Sequence, residues 1–234
     1  MNTRTWKMSV GFIAVVAMVL AAALPASAAT MVTTNATVAC SNTDLLQTSL
    51  ASVGGLLYYN TSWGGGEPLL RDGIALYDTA SHGSPNWNNA SANQGVGVND
   101  NAWVVYTLDT TDNTLGYDLT EINVFHGWAN KGRDTSNFSV SYSTVGAPDT
   151  FTTLYANASY DPTGAYGETS IVVGAGEATG VKKIRFDFGQ QQNGFVGYSE
   201  IDVVGTATVI PEPATMALLA IGGLGMLVRR RRHG

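Results

Sequence analysis

The chain has 234 residues, a net charge of −6, 44% hydrophobic residues and one cysteine. The charge is unevenly placed: residues 29–210 hold 17 of the 18 acidic residues and only six of the 12 basic ones, about −11 for that part. Such a surface repels nucleic acid and anionic lipid, and a single cysteine excludes an internal disulfide.

At the N-terminus, Arg4 and Lys7 precede an apolar run from Val10 to Leu24, and Pro25-Ala26-Ser27-Ala28 follows with small residues at the spacing a signal peptidase needs. This predicts a signal helix over 1–28, cleaved after Ala28, and export by way of signal peptidase. Residues 29–54 form an N-terminal segment rich in Thr, Ser, Asn and Ala. It is read as a first strand or as a short helix near Leu45, Leu46 and Leu50. Cys40 is read as a small side chain in that segment or as a partner for another chain.

From Leu56 onward the pattern is β. Strands are expected at Leu56–Tyr59, Ala102–Leu108, Leu119–Phe125, Asn137–Thr144, Phe151–Tyr155, Thr169–Val173, Val181–Phe188 and Tyr198–Val204, separated by Gly, Asn, Asp and Pro clusters. Alternation sets the faces. Phe138, Val140 and Tyr142 point opposite to Ser139, Ser141 and Ser143; Ile184, Phe186 and Phe188 point opposite to Lys183, Arg185 and Asp187. Short strands with polar outer faces predict an all-β fold, an antiparallel two-sheet jelly-roll sandwich over 55–208. Its expected core is Val104, Ile122, Val124, Phe138, Val140, Ile184, Phe186, Ile201 and Val203.

Residues 209–234 have three ordered parts: Pro211-Glu212-Pro213, an uncharged apolar run Ala214–Val228, and Arg229, Arg230, Arg231 and Arg232. The prolines block a helix from running backward. The apolar run would span roughly 22 Å as a transmembrane helix, with snorkelling arginines extending it and holding its end on the cytoplasmic side. The order resembles the PEP-CTERM sorting signal. That resemblance implies an exosortase partner, membrane anchoring during sorting, then placement at the cell surface or in an extracellular matrix of exopolysaccharide-producing bacteria. A plain membrane anchor is the alternative.

A second resemblance runs through the middle of the chain. Leu69-Leu-Arg-Asp-Gly73, Trp103-Val-Val-Tyr-Thr-Leu-Asp109, Tyr117-Asp-Leu-Thr-Glu-Ile-Asn-Val-Phe-His-Gly-Trp128, Arg133, Phe138-Ser-Val-Ser-Tyr-Ser143, Val181-Lys-Lys-Ile-Arg-Phe186 and Tyr198-Ser-Glu-Ile-Asp-Val203 occur in that order. The set is similar to the galactose-binding-like, discoidin or F5/8 type C domains. The resemblance implies a structural Ca²⁺ with Asp72 and Glu200 at matching positions, although Ile74 and Tyr77 stand where polar ligands are usual. Against this, Asp72-Gly73 reads as a turn and Glu200 as a solvated or Arg-paired residue. It also implies sugar recognition. Trp63, Tyr77, His82, Asn86 and Trp87, in the loop-rich stretch 60–100, offer an aromatic plate with polar groups beside it, or else anchor loops. Arg133 is expected to pair with a carboxylate or to stack on Trp128.

Catalytic motifs are sparse. His82, His126 and His233 show no zinc spacing, Gly-x-Ser-x-Gly is absent, and Gly95-Val-Gly97 lacks a dinucleotide fingerprint. Glu168, Glu177 and Glu200 could in principle supply a glycosidase pair. The expectation is therefore a non-catalytic polysaccharide-binding surface protein. A structural envelope protein without a soluble ligand is the alternative, and a small glycan-active hydrolase a further one.

Overall fold

The computed structural model describes residues 28–34, 40–55, 57–58, 66–75, 95–128, 132–164, 166–189 and 192–209. The expected signal helix and C-terminal transmembrane helix lie outside these residues. Among the described residues no helix is long and apolar enough to cross a membrane.

Eleven strands follow one another: β1 Thr30–Thr34, β2 Leu50–Gly54, β3 Leu57–Tyr58, β4 Val96–Val98, β5 Trp103–Thr107, β6 Tyr117–Gly127, β7 Ser136–Thr144, β8 Ala147–Tyr160, β9 Tyr166–Val172, β10 Val181–Phe188 and β11 Val196–Ala207. A single 3₁₀ turn, Glu67–Leu70, stands among the described helical elements. Every pairing is antiparallel.

The pairings resolve into two layers. One runs β2-β5-β10-β7-β8 and the other β3-β4-β11-β6-β9-β1. They are joined through a bridge between β10 and β6, Val181↔Tyr117. The fold is thus the expected two-sheet jelly-roll sandwich, held face to face by side chains.

All nine expected core residues are fully buried, and the core also takes in Tyr106, Leu46, Leu70, Ile171, Val96 and Val196. Alternation produces this directly. On β10 the inward set Ile184, Phe186 and Phe188 is buried while Lys183, Arg185 and Asp187 face out. Phe186 sits at the centre, with its ring 6.2 Å from Tyr106 and 6.3 Å from Phe138. Tyr142 lies half-buried against the core, and its hydroxyl donates to the Glu177 carbonyl at 2.6 Å.

Two differences from the sequence reading have local causes. Ser143, expected outside, is fully buried, because its hydroxyl donates to the Pro148 carbonyl across the tight β7–β8 hairpin. The stretch around Leu45 and Leu46 forms turns rather than a helix. Asp44 Oδ1 accepts the Leu46 amide at 2.8 Å, an Asx-type turn that competes with helix formation. Strands β1 and β2 answer the first strand expected within 29–54 and β4 is additional; of the other eight, β10 has the expected bounds and the rest agree in place with ends shifted.

Candidate functional site

Two regions of the sandwich concentrate polar chemistry. The first is the outer face of β11. Residues 196–203 of this strand are buried on both sides. Ile201 and Val203 face the core, while Glu200 and Asp202 face outward and are covered by two stretches of chain.

One cover is the segment 40–49. The Ser41 amide donates to Asp202 Oδ2 at 2.7 Å. Leu45 donates its amide to the Val203 carbonyl at 2.9 Å, and the Val203 amide donates to Asp44 Oδ1 at 3.2 Å. These bonds complete the β11 edge where β4, which pairs only Val196–Tyr198, has ended. The other cover is the loop 71–75. Its Gly73 and Ile74 amides donate to Glu200 Oε2 at 3.0 and 3.2 Å, and the Ala75 amide reaches Cys40 Sγ. Gly73 has φ +76°, and a Cβ there would stand 2.6 Å from Asn42 Cβ, so the two covers meet only with glycine at this position. Arg71 ties them together from the side, donating to Glu67 Oε1 at 2.8 Å and to the Leu46 carbonyl at 3.3 Å.

Asp44, Glu200 and Asp202 thereby bring carboxylate oxygens within 4.8 Å of one another. Burial, then the Asp202 charge and the nearby Asp72, drives the Glu200 carboxyl far above its ordinary range. Burial also raises Asp202, against the Ser41 hydrogen bond, which lowers it. Glu200 and Asp202, buried next to each other, must hold a proton or a cation between them. Cys40 is half-buried beside them: burial pushes its thiol up to about 12, which disfavours the thiolate.

The carboxylate oxygens of Asp44, Glu200 and Asp202 are the ligand type a hard divalent cation prefers. Of the two positions expected from sequence, Glu200 belongs to this cluster and Asp72 presses on it from the neighbouring loop. Asp44 and Asp202 went unnoticed in the sequence. Asp44 is 156 positions from Glu200, and Asp202 has the alternating position of any outward strand residue.

The second region is the end of the sandwich where β6 and β10 leave and β11 begins. Trp128 meets Phe195 edge-on at 4.8 Å, with Tyr166 packed beside them. The Arg133 guanidinium lies 4.4 Å over the Phe195 ring and donates to the Asn193 carbonyl at 3.1 Å. It stacks on Phe195 rather than on Trp128 as expected. Asn193 Nδ2 returns a bond to the Gly132 carbonyl at 2.9 Å, and Gln192 bonds both the amide and the hydroxyl of Thr135. The loops 132–135 and 192–195 are therefore laced into one rigid edge. Gly97 and Gly197 make room for it, since a Cβ would stand 2.8 Å from the Phe195 ring at Gly97 and 2.1 Å from the Gly127 carbonyl at Gly197.

Trp63, Tyr77, His82, Asn86 and Trp87 lie outside the described residues. Phe195 and its polar neighbours escaped the sequence reading, although Asn193-Gly194 marks a turn immediately before an aromatic residue.

The other residues singled out in the sequence lie within the sandwich and its turns. His126 is fully buried under Tyr160 and Tyr198. Trp103 lies on the outer face of β5, where Gly54 leaves room for its indole and the Arg185 guanidinium covers it at 4.9 Å. Glu168 and Glu200 flank Phe125 on neighbouring strands under the covering chain, whereas Glu177 closes its own turn by accepting the Gly174 amide.

By architecture, then, the described part is an all-β antiparallel sandwich with laced loops at one end. In the tail, residues 209–232 match the PEP-CTERM protein-sorting motif, as expected from the Pro-Glu-Pro, apolar and arginine order. No curated protein matches the chain in sequence. Among solved structures, it is similar to the lectin domain of lectinolysin complexed with Lewis B antigen (18% identity, 70% of this chain and 97% of that one, TM-score 0.41). It is also similar to a pectin-binding carbohydrate-binding module (19%, 50% and 75%, TM-score 0.34). A third likeness is to the CBM32-1, CBM32-2 and M60 catalytic domains of Clostridium perfringens ZmpB (11%, 83% and 18%, TM-score 0.42).

Proposed function

We propose that this is an exported, exosortase-sorted surface protein whose sandwich binds polysaccharide of the cell's own coat without chemically altering it. The observation that carries the sorting half is the match of residues 209–232 to the PEP-CTERM motif. On that reading the tail anchors the chain in the cytoplasmic membrane until an exosortase acts, and the domain ends at the cell surface or in the matrix.

The binding half is supported by the ordered residues that resemble galactose-binding-like domains and by the end of the sandwich just described. Phe195 and Tyr166, half-buried against the buried Trp128, supply aromatic surface for a sugar's apolar face. Arg133, Gln192 and Asn193, fixed by their own hydrogen bonds, supply polar groups in a preorganised frame. Trp63, Tyr77, His82, Asn86 and Trp87 would complete the plate. The experiment is a pull-down of the mature chain on native exopolysaccharide together with a glycan array. Saturable binding weakened by Phe195→Ala supports the reading. Absence of binding on both, by a folded protein, favours a structural envelope protein with no soluble ligand. Turnover of labelled polysaccharide abolished by Glu168→Gln would instead establish a hydrolase.

A further inference from the structure

The chain leaves the sandwich at the end opposite Trp128 and Phe195. β6 runs from one end to the other, and Ala207, the last residue of β11, pairs with Tyr117, the first of β6. The next residue is clasped. Thr208 donates its amide to the Gly116 carbonyl at 2.9 Å and its hydroxyl to Asp118 Oδ1 at 2.5 Å. The Gly180 amide is shared between Asp118 Oδ1 and Thr208 Oγ1, at 3.1 Å from each. Gly116 and Gly180 have φ +83° and +63°, and a Cβ at Gly116 would stand 2.6 Å from the Gly180 carbonyl carbon, so the two turns meet back to back. Thr208 is thereby a fixed point from which the tail departs.

The sorting motif follows almost at once. Only Val209 and Ile210 stand between Thr208 and Pro211. A fully extended chain spans at most about 3.6 Å per residue, so Pro211 lies within about 11 Å of the clasp. A protein interface of ordinary size covers about 800 Å² on each partner, a patch about 30 Å across. An enzyme that grips Pro211-Glu212-Pro213 therefore meets the end of the sandwich as well.

That end offers a surface for it. Loop 108–116 is held by its own bonds: the Tyr117 hydroxyl donates to the Asp109 carbonyl at 2.6 Å and accepts from Asn113 Nδ2 at 2.9 Å. An open groove of about 390 Å³ runs beside this loop, with Leu50, Thr107, Leu108 and Lys182 in its walls. Leu50, Leu115 and Val209 are 75%, 41% and 73% exposed, an apolar rim around the exit point. Loops 108–116, 145–148 and 174–180 hold Asp109, Asp112 and Glu177 and no basic residue. Anionic lipid headgroups repel such a rim, so a protein surface fits it better than the bilayer does.

We propose that this end of the sandwich is a docking surface for the sorting enzyme, with the rim of Leu50, Leu115 and Val209 against the enzyme's outer face and the Thr208 clasp presenting Pro211-Glu212-Pro213 beside it. The proposal rests on the sorting reading given above. It adds that the enzyme recognises the folded domain as well as the tail, because the short stem brings the two together. It is independent of the glycan reading, whose aromatic end lies at the far end of β6 and stays free while the tail is engaged.

The test follows processing of the full precursor in its native cell by pulse-chase and mass spectrometry of the C-terminus. Leu50→Asp with Leu115→Asp places charge on the rim and should slow processing about tenfold or more. Val32→Asp, an equally exposed apolar position on β1, should be processed as the wild type is. The rim pair is then repeated in a chain with a spacer of about ten Gly and Ser residues between Val209 and Ile210, which adds up to about 36 Å of reach. Relative to the spacer chain itself, the rim pair should now change the rate less than about twofold, because the enzyme no longer has to touch the domain. Pro211→Ala with Pro213→Ala reports separately on the sorting reading. If these block processing while the rim pair at native stem length does not slow it, the docking surface is refuted and the sorting reading stands. If the rim pair slows processing equally with and without the spacer, its effect lies in folding or export and the docking surface is again refuted. Processing indifferent to both prolines removes the sorting reading and the docking surface with it.

Discussion

His126 is the group whose protonation the fold opposes most plainly. Its Nδ1–H donates to the Asp134 carbonyl at 2.7 Å, so Nε2 is the acceptor, and the Thr169 hydroxyl donates to it at 3.3 Å. Ser136, 3.3 Å from Thr169, continues the chain. A second proton on the ring would meet the Thr169 hydroxyl head-on inside a fully buried site, and burial holds the imidazole down at about 4. The folded value lies below the ordinary 6.5, so the unfolded chain binds the extra proton first as pH falls. The stability contributed by neutral His126 is therefore complete above about pH 6.5 and is lost as pH falls through 4. The shift corresponds to about 3 kcal/mol in total, of which about 2 kcal/mol disappears between pH 7 and pH 5. For a domain of this size that is about 4–8 °C in melting temperature. The assay is chemical denaturation of wild type and His126→Gln from pH 4 to 8. The difference curve cancels the buried carboxylates of β11, which act in the opposite sense. It should flatten above pH 6.5 and fall below it. Parallel curves, or an imidazole C2–H resonance of His126 titrating near 6.5 in the folded protein, would refute the buried neutral assignment.

Other expectations follow from packing and from the tail. Phe186→Ala empties the space between Tyr106 and Phe138 and should cost about 3–5 kcal/mol, measured by urea denaturation. Gly197→Ala drives a methyl into the Gly127 carbonyl and should abolish soluble expression or cost about 3 kcal/mol or more, whereas Gly146→Ala, whose nearest contact is at 4.0 Å, should stay within about 1 kcal/mol of wild type. Replacing Pro211 and Pro213 with alanine should leave the domain's melting unchanged while the uncleaved precursor accumulates in the membrane fraction of the native cell, read by mass spectrometry of the C-terminus.

The sandwich could be read from the chain because half-buried strands write their faces as alternation. β7 and β10 carry that pattern in Phe138-Ser-Val and Ile184-Arg-Phe, and both faces came out where the pattern put them, Ser143 apart. Strands β1, β2 and β4 were harder. Thr30–Thr34 and Leu50–Gly54 are edge strands with mostly exposed side chains, and Val96–Val98 is buried throughout, so none of them alternates. Both site regions are assembled from parts distant in sequence. Asp44 reaches β11 only because β4 stops short, and Phe195 reaches Trp128 only because two glycines clear its path. Neither condition leaves a local mark on composition or period.

If the chain crosses a membrane N-terminus first, the pairing of β1 with β9 and the seating of segment 40–49 on β11 set an order of events. The earliest residues to emerge are matched to almost the last, so the first strand must wait, unpartnered, while the rest is threaded through. If the tail then holds the far end in the bilayer, final assembly takes place within a short tether of the lipid surface.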